Sequence, residues 1–144
     1  MDINIKIDAD CVSTEYETIL FIKSVIDCQF VDRLEFRKST YRFARADFII
    51  VNSENIKSII VECKSFKNKP KFLNKSKVDS LIKHYHEPFI VIKHNTDYYW
   101  LRVKAINWST LPIINEEPAY DVSGYLSNDY DELGNQILIG LMYP

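Results

Sequence analysis

Two runs of β-branched and aromatic residues, separated by a short polar segment, constrain this chain more than any other feature. The runs are residues 43–51 (FARADFIIV) and 56–63 (IKSIIVEC), and residues 52–55 (NSEN) lie between them. β-Branched and aromatic residues are typical of strands, whereas Asn and Ser are typical of turns. The pattern therefore predicts an antiparallel hairpin with two largely buried strands.

Helices and further strands are predicted on both sides of this hairpin. Apolar residues recur at helical spacing over residues 13–28 and again over 78–85. Residues 29–38 alternate loosely as a strand, and 89–93 and 98–104 have the composition of two more. The order of helix, three strands, helix and two strands predicts an α/β (α+β) fold, in which helices flank a central mixed β-sheet.

A length of 144 residues suits a single domain spanning the whole chain, 1–144. Its core is expected at about residues 13–104. The remainder, about 105–144, is predicted to be a strand-rich C-terminal extension, with short strands around Tyr120 and over 137–141.

Composition excludes several classes of protein. No apolar run approaches the roughly 20 residues of a membrane helix, so no membrane partner is expected. The three cysteines, Cys11, Cys28 and Cys63, are an odd number without CxxC spacing, which favours reduced thiols in a cytoplasmic protein over disulfides or a zinc site. No organic cofactor is expected.

Charge is distributed unevenly along the chain. The net charge is only −2, but residues 33–83 carry +8 and residues 105–144 carry −6. A strongly basic middle segment can attract a polyanion even in an acidic protein. A solvated basic face remains the alternative interpretation.

Asp47, Glu62 and Lys64 are the candidates for chemistry. Because side chains alternate along a strand, Glu62 and Lys64 share one face and Cys63 points to the other. An even-numbered turn within residues 52–55 places Asp47 opposite Ile60 and diagonal to Glu62, on that same face. A three-residue turn or a bulge would instead move Asp47 to the far side.

Two carboxylates and an ammonium are costly to bury in apolar strands unless they bind each other or a ligand. Mg²⁺ prefers oxygen ligands, and the backbone carbonyl of Cys63 adds one to the carboxylates of Asp47 and Glu62. Lys64 can then orient a nucleophile or stabilise charge on a phosphate, as phosphodiester hydrolysis requires. The alternative is a surface ion pair between Glu62 and Lys64, with Asp47 uninvolved.

The first predicted helix contributes another acidic candidate. Glu15 falls within its apolar stripe, with Ile19, Ile22 and Ile26, whereas Glu17 lies on the opposite side. A first-turn acid favoured by the helix dipole is the alternative explanation for Glu15.

The segments RADFII (45–50) and IIVECK (59–64) in this order of elements resemble the PD-(D/E)xK nuclease superfamily, and the resemblance covers about residues 13–93. Ala46 replaces the proline of the motif. The resemblance implies a restriction-endonuclease-like fold, with small Holliday-junction resolvases and restriction or repair endonucleases as the nearest likenesses.

The same resemblance implies a Mg²⁺-dependent DNA endonuclease, with Mn²⁺ as a substitute ion, that acts as a homodimer. Asp47 and Glu62 would be metal ligands together with the Cys63 carbonyl, and Lys64 would lie beside the attacking water. Glu15 would be an auxiliary ligand, with Glu17 as the weaker candidate for that role. An inactive nucleic-acid-binding or protein-interaction module of the same fold is the alternative. The basic residues that flank the motif are the candidates for DNA contact: Arg42, Arg45, Lys67, Lys69, Lys71, Lys75 and Lys77.

Overall fold

The computed structural model describes residues 12–26, 28–38, 47–66, 71–114 and 118–142. The helices are α1 (Val12–Val25), α2 (Cys28–Val31), α3 (Lys75–His84) and α4 (Tyr130–Met142). The strands are β1 (Leu34–Lys38), β2 (Phe48–Asn52), β3 (Ser58–Phe66), β4 (Phe72–Asn74), β5 (Pro88–His94), β6 (Asp97–Arg102), β7 (Ile113–Ile114) and β8 (Ala119–Asp121). Two 3-10 turns, Val103–Ala105 and Trp108–Thr110, follow β6.

Five strands form a mixed central sheet in the order β1-β2-β3-β5-β6. β1, β2 and β3 pair antiparallel, β3 and β5 pair parallel across the α3 connection, and β5 and β6 form an antiparallel hairpin. The remaining strands form a small antiparallel sheet in the order β4-β8-β7. The predicted arrangement of helices around a central mixed sheet is therefore confirmed.

Each face of the central sheet has its own apolar core. On one face α1 and α4 pack against β2, β3 and β5, with Ile19, Ile22, Leu133, Ile137 and Leu141 among the buried side chains. On the other face α3 and the small sheet cover β3 and β5, with Val78, Leu81, Trp108, Tyr120 and Val122 among them. The C-terminal extension thus contributes to both cores.

The prediction of a strand over residues 137–141 is wrong, because these residues lie in α4. Asp129 supplies a helix start, since its Oδ1 accepts from the N–H of Glu132, and buried Leu133, Ile137 and Leu141 recur every four residues. The β-branched residues of this run therefore belong to an amphipathic helix. The described residues of the extension are not strand-rich either, although the predicted strand around Tyr120 is confirmed as β8.

The β2–β3 turn caps the C-terminal end of α4. The side-chain amides of Asn52 and Asn55 both donate to the Leu141 carbonyl oxygen, over 3.0 and 2.9 Å. Carbonyl groups in the last turn of a helix have no partner within the helix, so these two bonds satisfy an otherwise orphaned acceptor. The turn therefore connects the hairpin to the last helix.

The predicted strand over residues 29–38 is partly wrong. Its first residues form the short helix α2, and β1 begins only at Leu34. Residues 43–46 of the predicted hairpin lie outside the described residues. None of the helices in the described parts of the chain is both long and apolar enough to span a membrane.

Ile56 adopts a backbone conformation that disfavours it. Its φ is +62°, its side chain is 83% exposed, and it is β-branched. Left-handed backbone costs an ordinary L-residue roughly 1–2 kcal/mol, whereas Asn tolerates it. We expect Ile56→Asn to raise the free energy of unfolding by about 1 kcal/mol in urea denaturation. Ile139→Asn, at an exposed helical position, is the matched control and should not raise the free energy of unfolding. Equal changes in this free energy at the two sites would contradict backbone strain at Ile56.

Gly134 allows α4 to approach α1. A Cβ at this position would lie far inside contact distance of the Val25 carbonyl oxygen, which is backbone and cannot rotate away. We expect Gly134→Ala to lower the free energy of unfolding by about 2 kcal/mol despite the better helix propensity of Ala. Gly140→Ala in the same helix meets only the side chains of Ile59 and Glu87 and should change it by less than about 1 kcal/mol. A similar loss in both variants would refute the backbone clash.

Candidate active site

The residues predicted to carry out the chemistry lie where β3 continues beyond its ladder with β2. Among the described residues, the β2–β3 ladder ends at Phe48 and Val61, whereas the β3–β5 ladder continues to Phe66. Residues 62–64 follow this end directly. In the part of the chain that the structure describes, the motif residues of β3 are therefore paired in a ladder with β5 alone.

Asp47 lies immediately before β2 and is tied to β3 by two hydrogen bonds. Its backbone N–H donates to the Val61 carbonyl over 3.0 Å, and its Oδ2 accepts from the Cys63 N–H over 2.6 Å. The N–H and C=O of one strand residue point to the same side of the strand. The Cys63 carbonyl therefore faces the same side of β3 as the Asp47 carboxylate.

The prediction that Asp47 lies opposite Ile60 is wrong. Ile60 pairs with Ile49, because the turn spans residues 53–56 and is centred one residue beyond the predicted centre. The ladder does not continue in this register to Asp47, because the Asp47 N–H donates to the carbonyl of Val61, which already pairs with Phe48. Phe48 and its N-terminal neighbour Asp47 thus face one residue of β3, as in a β-bulge. Asp47 is linked to the motif by its bond from the Cys63 N–H, and its charge raises the pKa of Glu62.

Glu62 is a buried acid in a costly environment. Glu62 is only 5% exposed to solvent. Burial raises the pKa of Glu62 to about 7, the nearby negative charge of Asp47 adds to the rise, and Lys77 and Lys64 oppose it. Ionised Glu62 is therefore a group that a further cation would stabilise.

Two lysines approach the two oxygens of Glu62. Lys64 Nζ lies 3.6 Å from Oε1, which confirms that these two residues are neighbours, and Lys77 Nζ of α3 lies 3.2 Å from Oε2. The contact with Lys77 is an ion pair outside hydrogen-bond geometry. Within the described chain, Oε2 is fully buried and accepts no hydrogen bond.

Glu15 is buried on α1, as predicted, and is associated with the other face of β3. Its charge is one of the influences on the Cys63 thiol, whose pKa is raised chiefly by burial and then by Asp47. Cys63 packs against the core shared by α1 and α4, whereas its neighbour Glu62 points toward α3. Glu17, the weaker helix candidate, pairs instead with Lys93 of β5.

Within the described ranges, no group of three or more His, Cys, Asp and Glu side chains lies close enough to hold a metal ion. Three oxygen donors nevertheless belong to residues at the end of the β2–β3 ladder. They are the Asp47 carboxylate, the buried Glu62 Oε2 and, by its direction, the Cys63 carbonyl. Mg²⁺ binds through one or two carboxylates completed by water and substrate oxygens, so this donor set fits it.

The structure describes three of the seven residues that were predicted to contact DNA. Arg42, Arg45, Lys67 and Lys69 lie outside the described residues. Lys71 is exposed, whereas Lys75 pairs with Asp79 and lies 5.5 Å from the ring centre of Tyr120. Lys77, predicted for DNA, contacts Glu62 instead.

Sequence reasoning missed the end of β5. Lys93 and His94 pair in register with Ser65 and Phe66, directly after the motif, and His94 Nδ1 lies 3.3 Å from the Phe66 carbonyl oxygen. The basic residues after an apolar strand were the available signal. Only the parallel pairing of β3 with β5, which a sequence pattern does not specify, brings them near the site.

The fold is similar to that of Hjc, a Holliday junction resolvase from the archaeal hyperthermophile Archaeoglobus fulgidus. The two chains have a TM-score of 0.59 at 14% identity, and the match covers 88% of this chain and 97% of that chain. At this identity the likeness establishes the restriction-endonuclease-like fold and no activity. The sequence itself matches no family model and no curated protein.

Proposed function

We propose that this protein is a metal-dependent endonuclease that hydrolyses phosphodiester bonds in DNA. The observation that supports this most directly is the position of Asp47, hydrogen-bonded to the backbone of Cys63 beside buried Glu62. Lys64 lies within ion-pair distance of the same Glu62. Two acids and a lysine at the end of one strand pair, in a fold similar to that of a resolvase, support this proposal.

In this proposal Asp47, Glu62 and the Cys63 carbonyl would hold Mg²⁺, or Mn²⁺ in its place. Glu15 is left out of this ligand set, because it is associated with the other face of β3. A bound ion supplies Lewis-acid activation of water and of the phosphate. The Cys63 N–H orients the Asp47 carboxylate, and the apolar strands around Glu62 lower the local dielectric. Lys64 orients the attacking water and stabilises the negative charge that develops on the phosphate.

A four-way DNA junction is the first substrate to test, because Hjc is a Holliday junction resolvase. The predicted DNA contacts go to the backbone, which positions a nucleic acid without reading its sequence. Cutting both strands requires two such sites, so we propose a homodimer. We also propose that it acts inside the cell.

The decisive experiment incubates the protein with supercoiled plasmid and with a synthetic four-way junction, in Mg²⁺, in Mn²⁺ and in EDTA. We expect metal-dependent cleavage, and selective cutting of the junction would identify a resolvase. DNA binding without cleavage under any of these conditions would refute the endonuclease and favour the inactive binding module.

A further inference from the structure

Lys77 occupies a position that helix stability does not explain. It lies in the first turn of α3, which contains two lysines and no acidic residue. The N-terminal end of a helix carries a partial positive charge, so lysines there are unfavourable. The side chain of Asn74 caps the helix by accepting from the Lys77 N–H over 3.0 Å, which fixes the backbone at this position. Helix stability therefore does not account for a lysine at position 77.

The contact with Glu62 supplies that reason. Lys77 Nζ lies 3.2 Å from Glu62 Oε2, closer than the 3.6 Å between Lys64 Nζ and Oε1. The Lys77 side chain is 27% exposed and that of Glu62 is 7% exposed. The ammonium therefore lies against the buried oxygen that the proposed site offers to a metal ion.

α3 presents Lys77 from a fixed element. Asp79, one turn into the helix, accepts from the Tyr120 hydroxyl of β8 over 2.6 Å and from Lys75 Nζ. This contact, together with buried Val78 and Leu81, anchors α3 to the small sheet and to the core below it. The anchored helix therefore holds the backbone of Lys77 at a fixed position near Glu62.

We propose that Lys77 is a positioning residue that acts as the resident cation of Glu62, holding this carboxylate while no divalent ion is bound and competing with the ion for it. The inference rests on the proposed metal site. Two positive charges cannot occupy one side of a carboxylate without repulsion. Lys77 must therefore move away from Oε2 when the ion binds, and its presence lowers the affinity of the site.

The test measures Mn²⁺ binding through the electron paramagnetic resonance signal of the free ion. We expect Lys77→Gln to bind Mn²⁺ about tenfold more tightly than the wild type, because the competing charge is gone. Lys77→Arg retains the charge and should bind like the wild type. Lys83→Gln, an exposed lysine in the last turn of the same helix, is the matched control and should also leave the affinity unchanged.

Thermal melting provides a second readout. In EDTA at pH 8, Lys77→Gln should melt below the wild type, because ionised Glu62 loses one of its two counter-charges. Saturating Mn²⁺ should raise the melting temperature of Lys77→Gln more than that of the wild type, since binding is tighter.

Should Lys77→Gln fail to fold, reductive methylation of the wild type tests the same idea. Mg²⁺ should increase the methylation of Lys77 and leave that of Lys83 unchanged. Unaltered reactivity of Lys77, or equal or weaker Mn²⁺ binding by folded Lys77→Gln, would overturn the competition.

Asp47→Asn separates this inference from the proposed function. If the wild type cleaves DNA and its Mn²⁺ binding is lost in Asp47→Asn, while Lys77→Gln behaves like the wild type, only the role of Lys77 fails. If the wild type neither cleaves DNA nor binds Mn²⁺ in a manner sensitive to Asp47→Asn, the proposed metal site fails, and the competition with it.

Discussion

Asp47→Asn and Lys64→Ala should each lower the rate of DNA cleavage at least about 100-fold, which corresponds to roughly 2.7 kcal/mol in the activation barrier. Asn keeps an oxygen that can accept from the Cys63 N–H, so Asp47→Asn removes the charge and spares the hydrogen bond that fixes this segment. Lys64→Ala removes the only side chain with a positive charge that the proposal assigns to the reacting phosphate. Initial rates on the preferred DNA substrate, at saturating Mg²⁺, provide the measurement.

Two matched variants control for changes in charge. Asp97→Asn alters an exposed acid at the β5–β6 turn, and Lys104→Ala alters an exposed lysine after β6. Both should cut DNA at the wild-type rate. Cleavage by folded Asp47→Asn and Lys64→Ala at rates close to that of the wild type would remove these residues from the reaction.

Glu62 should make the protein less stable as the pH rises. The pKa of Glu62 is raised from 4.5 to about 7 in the folded chain, chiefly by burial, so between these values the folded state binds more protons than the unfolded state. Stability therefore falls as the pH rises through this window, by about 3 kcal/mol in the absence of divalent ions. Below pH 4.5 the group is protonated in both states, and above pH 7 the full penalty is present.

Glu62→Gln, which cannot ionise, isolates this effect. The free energy of unfolding of the variant minus that of the wild type should increase by about 3 kcal/mol between pH 4.5 and pH 8, measured by urea denaturation in EDTA. Glu54→Gln, at an exposed turn position, should show no such change. A difference between Glu62→Gln and the wild type that is independent of pH would show that Glu62 ionises normally.

The β2–β3 hairpin could be predicted from the sequence because the residues that specify it are close together in the chain. The hairpin follows from two β-branched runs around a polar turn, and the burial of Glu15 follows from its place in an apolar stripe. The alternation of side chains also placed Glu62 and Lys64 together, which their ion pair confirms.

The register and the last helix required information from distant parts of the chain. Asn52 and Asn55 bind the end of α4, and this contact accompanies a turn centred one residue later than the local pattern indicates. The run over 137–141 resembles a strand until Leu133 and the cap at Asp129 are taken with it. The contact of Lys77 with Glu62 depends on how α3 packs, which no residue spacing specifies.

The capping of α4 by the β2–β3 turn has a consequence for biosynthesis. The bonds from Asn52 and Asn55 to Leu141 join residues 89 and 86 positions apart, and α4 follows every other element of the described residues. Contacts between such distant residues form slowly, because a long loop must close first. In a nascent chain on the ribosome, the part of the sheet that α4 covers therefore stays exposed until α4 emerges, although α1 can already pack beside it.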